Sequence, residues 1–261
     1  MSKIETTPDG ITGEASRRKL HFFWIVDDSG SMSGSKIQKV NWAIRDVLPE
    51  IEKIGDENRL EIMMSAIKFG NDASWHVGPD PVGINQFKWK DMSGNSGCTA
   101  TSKALKLLID SLDHNKLGKR NVPPVCILLS DGHCTDSEKD YMNAINTLND
   151  SSKLPWGTKA VRLSIGIAEQ EGDYNKEELD MFISPYLRTE QKIETLHADS
   201  PRKLVQFIKT ASTAAVKASS DTPSNTNHSQ STPPVNLSKS NLNDAGVSNF
   251  QNVTAEDAWE F

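Results

Sequence analysis

Asp27, Ser29 and Ser31 occupy alternate positions of the stretch WIVDDSGSMSG, directly after an apolar run. One carboxylate and two hydroxyls at that spacing are oxygen donors suited to a hard cation. A divalent ion such as Mg²⁺ takes oxygen ligands in near-octahedral geometry at ~2.0–2.1 Å. A donor set with few carboxylates leaves much of the ion's charge unneutralised, so the ion retains an affinity for a further anion. Thr99, within GCT, and Asp131, within SDG, bring the same chemistry from elsewhere in the chain.

The elements around these residues decide whether they can meet. Leu20 to Val26 is a short run of aromatic and aliphatic residues between Lys19 and Asp27 and reads as a strand buried on both faces. Ile37, Val40, Ile44, Val47, Leu48 and Ile51 recur at three- and four-residue steps, an amphipathic helix with Pro49 kinking its last turns. Leu60 to Phe69 and Ser74 to Val77 read as a hairpin across Gly70-Asn71-Asp72, ended by Gly78 to Pro81. A second long helix carries Ala104, Leu107, Leu108 and Leu112 and is expected to be capped by Thr99 or Thr101. Val125 to Leu129 is a central parallel strand stopping at Ser130-Asp131-Gly132.

Tyr141 to Leu148 is expected to be helical, and Ala160 to Ala168 a strand. A short helix follows over Glu177 to Ile183, then a last strand over Ile193 to Leu196 and a last helix over Leu204 to Val216. Strands alternating with helices imply a doubly wound α/β fold. Its sheet is mostly parallel with one antiparallel edge strand, and helices cover both faces. Ligands of such sheets bind outside the carboxyl ends of the strands, where Asp27 and Asp131 both fall.

A net charge of −6 argues against nucleic acid, which needs a basic stripe; Arg17, Arg18 and Lys19 form the one dense basic run, read as a solvated lead-in. No apolar stretch approaches the ~20 residues of a membrane span. The polar start MSKIETTPDG lacks a signal-peptide core, and three cysteines without a CxxC pair fit a reducing compartment. A cytoplasmic protein is therefore expected. Composition divides the chain into a lead-in (1–19), one domain (20–218) and a disordered tail (219–261) rich in Ser, Thr, Asn and Pro.

The order Asp27-x-Ser29-x-Ser31, Thr99, Asp131 resembles the metal-ion-dependent adhesion site of von Willebrand factor type A (VWA) domains, over about Leu20 to Ala218. Phe69, Trp75, the FKW stretch Phe87 to Trp89 and the helix end LPEIEKI are similar to the bacterial tellurium-resistance-associated branch. Cys98 stands where the family commonly has glycine. The resemblance implies that Ser29, Ser31 and Thr99 coordinate Mg²⁺ or Mn²⁺ through hydroxyls. Asp27 and Asp131 would hold the ion directly or through water, leaving a position for a partner's Asp or Glu. It implies a non-enzymatic adaptor, in the company of a Ser/Thr kinase and a metal-dependent phosphatase, or of a stress-response or phage-defence complex.

Other readings of the same residues fare less well. A receiver domain needs a lysine at the end of Ala160 to Ala168, and there is none. No GxSxG elbow or GxxxxGK[ST] loop is present. The enzymatic alternative is a metal-assisted hydrolase in which His133 serves as base beside Cys134. Cys98 and Cys134 also form a candidate redox pair on the rim. Cys126, Trp24 and Trp42 read as core, while Trp75, Trp89 and Trp156 are packing residues that can also line a partner surface. At the chain end Phe250, Val253, Trp259 and Phe261 alternate with Glu256, Asp257 and Glu260. Trp259, Glu260 and Phe261 are the centre of a candidate docking motif on a flexible tether.

Overall fold

The computed structural model describes residues 17–118, 121–170 and 172–220. The expected tail motif of Trp259, Glu260 and Phe261 lies outside the described residues.

Strand β1 (Arg18–Asp27) is buried from Leu20 onward. It is followed by a 3-10 turn (Gly30–Met32) and helix α1 (Ser35–Glu57), which runs on through Pro49. Strands β2 (Leu60–Phe69) and β3 (Ala73–Gly83) pair antiparallel. Helices α2 (Thr101–Ser111) and α3 (His114–Leu117) lead to β4 (Val125–Ser130). Then come α4 (Glu138–Asn149), α5 (Pro155–Lys159), β5 (Val161–Ile167), α6 (Lys176–Phe182), α7 (Pro185–Thr189), β6 (Leu196–Ala198) and α8 (Pro201–Ser220).

The sheet order is β3-β2-β1-β4-β5-β6, parallel throughout except for β3. This is the expected doubly wound α/β sheet with one antiparallel edge. Because successive side chains of a strand point to opposite faces, β1 splits its residues between two cores. Leu20, Phe22, Trp24 and Val26 join α1 and α8, while Phe23 and Ile25 join α2, α4 and α6. Such two-sided covering requires largely apolar central strands, as β1 is from Leu20 to Val26 apart from His21 and β4 is up to Ser130.

Several local expectations shift. Strand β3 continues past Gly78 to Gly83, with register irregularities between Met64 and Ile67 absorbing the Gly and Pro positions. Strand β6 begins at Leu196 rather than Ile193, because Thr195 gives its backbone N–H and its hydroxyl to Asp180 Oδ1, both at 2.6 Å. Arg18 and Lys19 belong to β1 itself. Trp42, expected in the core, is 42% exposed on the outer face of α1. Trp24 and Cys126 are fully buried, and Trp156 nearly so.

Candidate metal centre

The two acidic candidates arise at the carboxyl ends of adjacent parallel strands. Asp27 closes β1 and Asp131 follows β4, and both are fully buried. A carboxylate at a strand end needs partners to offset its lost hydration. Asp27 Oδ1 accepts the Ser29 backbone N–H at 2.9 Å, and Oδ2 accepts the Ser130 hydroxyl at 2.5 Å. Burial pushes the Asp27 carboxyl up to about 6, against hydrogen bonds from Ser130 and Ser29 that pull it down; nearby Asp131 adds to the rise.

Ser29 is buried and Ser31 exposed, with their hydroxyl oxygens 3.0 Å apart. Neither hydroxyl caps the following helix: the N-cap position of α1 is Gly34, at φ 73°, and it has no side-chain cap bond. The turn residues therefore remain as donors around Asp27. The helix-cap reading of Thr99 and Thr101 is likewise displaced, since the N-cap of α2 is Ala100, also without a side-chain cap bond. The carboxylate of Asp136 reaches over instead and accepts the Ser102 N–H at 2.6 Å. An acid at a helix N-terminus satisfies an orphan donor and complements the dipole.

Three loops are stitched into one surface by hydrogen bonds from backbone N–H groups to side-chain and backbone oxygens. Ser29 bridges Ser96 in parallel fashion, and Asp28 Oδ1 accepts the N–H groups of Ser93 and Gly94 at 3.2 and 2.7 Å. Gly94 sits at φ +65°, where a Cβ would lie 2.7 Å from Ser33 N, so glycine permits this close loop-to-loop approach. Thr99 and Thr135 exchange two bonds: Thr99 N–H to Thr135 Oγ1 at 2.9 Å and Thr135 N–H to Thr99 O at 3.1 Å. The Thr99 loop is thereby fixed to the loop that follows Asp131. Gly132, at φ +73°, lets Asn175 N–H reach Asp131 O at 2.9 Å.

Asp131 has a different environment from Asp27. Its Oδ2 accepts Lys36 Nζ at 3.1 Å, while Oδ1 is buried with no hydrogen-bond partner among the described residues. A buried acceptor left unmatched is costly, and a cation at the cluster would satisfy it. Among the described residues there is no group of three or more His, Cys, Asp and Glu side chains placed to hold a metal. The candidate donors are two carboxylates and nearby hydroxyls, oxygen groups that suit a hard ion far better than a soft one.

Sequence reasoning assigned no role to Ser130 or Lys36. Ser130 accepts the Gly132 N–H at 2.9 Å while donating to Asp27, so it couples the two acidic loops. The signal for Lys36 was present: a lysine in the first turn of a helix faces the unfavourable end of the dipole unless an acid holds it there. His133 is exposed, and Cys134 is half-buried, with its thiol pushed up by burial. A raised thiol pKa disfavours the thiolate that nucleophilic chemistry requires. Cys98, Cys126 and Cys134 are free thiols.

Comparison with known proteins accords with this architecture. The family model of the von Willebrand factor type A domain matches residues 23–186, and the chain belongs to that family. Among solved structures, proximal thread matrix protein 1 from the mussel byssus is 14% identical with a TM-score of 0.54, the match covering 76% of this chain and 49% of that one. A structure of the same mussel protein with a zinc-occupied MIDAS motif is 16% identical with a TM-score of 0.51, covering 77% and 46%. A von Willebrand factor type A protein from Catenulispora acidiphila is 15% identical at a TM-score of 0.49, covering 76% and 43%. The chain thus spans about half the length of the solved structures it matches. Curated proteins offer no match.

Proposed function

We propose that this chain is a divalent-ion-dependent protein-recognition module. Ser29, Ser31 and Thr99 supply hydroxyl ligands, and Asp27 and Asp131 hold the ion directly or through water. The observation that carries this reading is the unmatched, fully buried Asp131 Oδ1 beside a hydroxyl-rich turn at the carboxyl ends of the sheet. Mg²⁺ or Mn²⁺ fits such hard oxygen donors. Zinc, which occupies the motif in the mussel protein, belongs in the same titration set. When bound, the ion supplies an electrophilic point for one more oxygen ligand, and the partner provides it as an Asp or Glu side chain.

The protein's own residues do the remaining work. Ser130 and the Ser29 N–H orient the Asp27 carboxylate, so its oxygens are fixed before any ion arrives. The loops Asp28 to Ser35, Ser93 to Thr101 and Gly132 to Glu138 provide the rest of the contact surface. Selectivity comes from the ion's preference for carboxylate together with the fit of these loops.

Cytoplasmic location, the three-part domain division and the Ser/Thr kinase and phosphatase company remain part of this proposal; the last rests on the tellurium-resistance-like residues alone. The terminal Trp259-Glu260-Phe261 motif offers a partner-docking element, or a carboxylate for the ion from the chain's own end. The test is capture of partner from source-cell lysate with Mg²⁺, with chelator, and with an Asp27→Ala bait. Capture should fall at least about tenfold in the last two conditions, a ~1.4 kcal/mol effect. Identical capture in all three would exclude the bridging ion. A bait lacking Val253 to Phe261 tells whether the terminal motif contributes.

A further inference from the structure

Lys36 lies in the first turn of α1, five positions after Ser31, and its ammonium is 3.1 Å from Asp131 Oδ2. The lysine side chain is only 20% exposed, so this contact is far better shielded than a surface ion pair. It is also the one hydrogen bond found for the Asp131 side chain among the described residues, the other oxygen having no partner. A second carboxylate stands within reach of the same helix turn. Glu169, just after β5, accepts Lys39 Nζ at 3.1 Å and Ser35 Oγ at 3.2 Å, and its side chain is 67% exposed. The Lys39 contact first, then Ser35, and more weakly the charge of Lys36, hold its carboxyl below the usual carboxylate range.

We propose that Lys36 is a resident counterion of the metal centre: its ammonium neutralises Asp131 in the ion-free protein, and a divalent ion must displace it toward Glu169 to bind. This rests on the metal-centre reading and adds to it a determinant of affinity. The physical reason is charge. An ammonium and a divalent ion cannot both sit against one buried carboxylate without strong mutual repulsion, which low local dielectric magnifies. With Lys36 on Asp131 the ion-free protein avoids an unpaired buried charge, and metal occupancy becomes a competition rather than a simple filling. Glu169 gives the displaced ammonium an acceptor at the rim, where water also solvates it.

The test is calorimetric titration of Mn²⁺ into the full chain and into Lys36→Met, Lys36→Arg and Glu169→Gln, with melting temperatures measured metal-free and at saturation. Lys36→Met should bind Mn²⁺ about tenfold more tightly, Lys36→Arg within threefold of the parent, and Glu169→Gln about threefold more weakly. Lys36→Met should also melt lower than the parent when metal-free and recover the parent's melting temperature at saturating Mn²⁺. A residue with a merely structural role would lower both melting temperatures alike. Equal or weaker Mn²⁺ binding by Lys36→Met, with binding by the parent intact, overturns the counterion role and leaves the metal centre standing. Parent-like binding by Glu169→Gln overturns the acceptor role of Glu169. Absence of Mn²⁺ binding in the parent and every variant overturns both the metal centre and the role of Lys36.

Discussion

Asp27→Asn should remove most of the thermal stabilisation that divalent ions give this protein while leaving the ion-free fold intact. Asparagine keeps the shape of the side chain and an oxygen for the Ser29 N–H, and its amide can donate to the Ser130 hydroxyl. What it removes is the charge. Asp27 is fully buried, and burial already strains its ionised form, pushing the carboxyl up to about 6. The ion-free variant should therefore be as stable as the parent or slightly more so. At an ion concentration of about a hundred times Kd the parent should gain about 2.7 kcal/mol by mass action. For a domain of this size that is a rise of roughly 5–10 °C in Tm. In Asp27→Asn the rise should shrink to about 1–1.5 °C, as expected for an affinity loss of about a hundredfold. An undiminished rise would remove Asp27 from the site.

The second large effect is one of pH. His21, in the middle of the apolar β1, is 4% exposed, and neither ring nitrogen has a hydrogen-bond partner among the described residues. Burial first, and then the charge of Lys19 two residues away, lower its pKa from the usual 6.5 to about 4. Its ring stacks on Phe23 at 6.5 Å between centroids, an apolar environment that offers a proton nothing. Because the folded-state value is depressed, the unfolded chain takes up the proton first. Stability is full above pH 6.5 and is lost progressively as the pH falls from there toward 4. The complete loss from this one residue is about 3 kcal/mol. Urea unfolding of the parent and His21→Leu at pH 7.5, 5.5 and 4 isolates the term, since other acid-sensitive groups are common to both. The leucine variant should keep about 3 kcal/mol more of its neutral-pH stability at pH 4; parallel curves would refute the assignment.

The mostly parallel sheet and the meeting of Asp27 with Asp131 were legible because both strands announce themselves as largely apolar runs that end in acid. Thr99 entered as a candidate through the family resemblance, and its anchoring to Thr135 depends on a long-range loop contact that no local spacing encodes. The cap of α2 was misread for the same reason: the acid that serves it, Asp136, comes from 34 residues away. Val161, Leu163, Ile165 and Ile167 alternate along β5 with residues whose types do not announce burial. Yet Arg162 and Ser164 are fully buried, held by Asn149 and Thr195 from neighbouring elements. Trp42 shows the converse limit, since a large apolar residue on an otherwise correct helix falls outside its buried stripe and stays in water. The pairing of Lys36 with Asp131 spans 95 residues and becomes visible only once β1 and β4 lie side by side.

Anomalous diffraction from crystals grown with Mn²⁺ tests the central claim most directly. The expected result is a single strong peak at the carboxyl ends of β1 and β4, about 2.1–2.2 Å from the Ser29 and Ser31 hydroxyl oxygens. Thr99 and one or both of Asp27 and Asp131 should lie in its first or second shell, with a remaining position filled by water or by a neighbour's carboxylate. A fully occupied Mn²⁺ elsewhere, or none at this cluster at millimolar ion, would contradict the account.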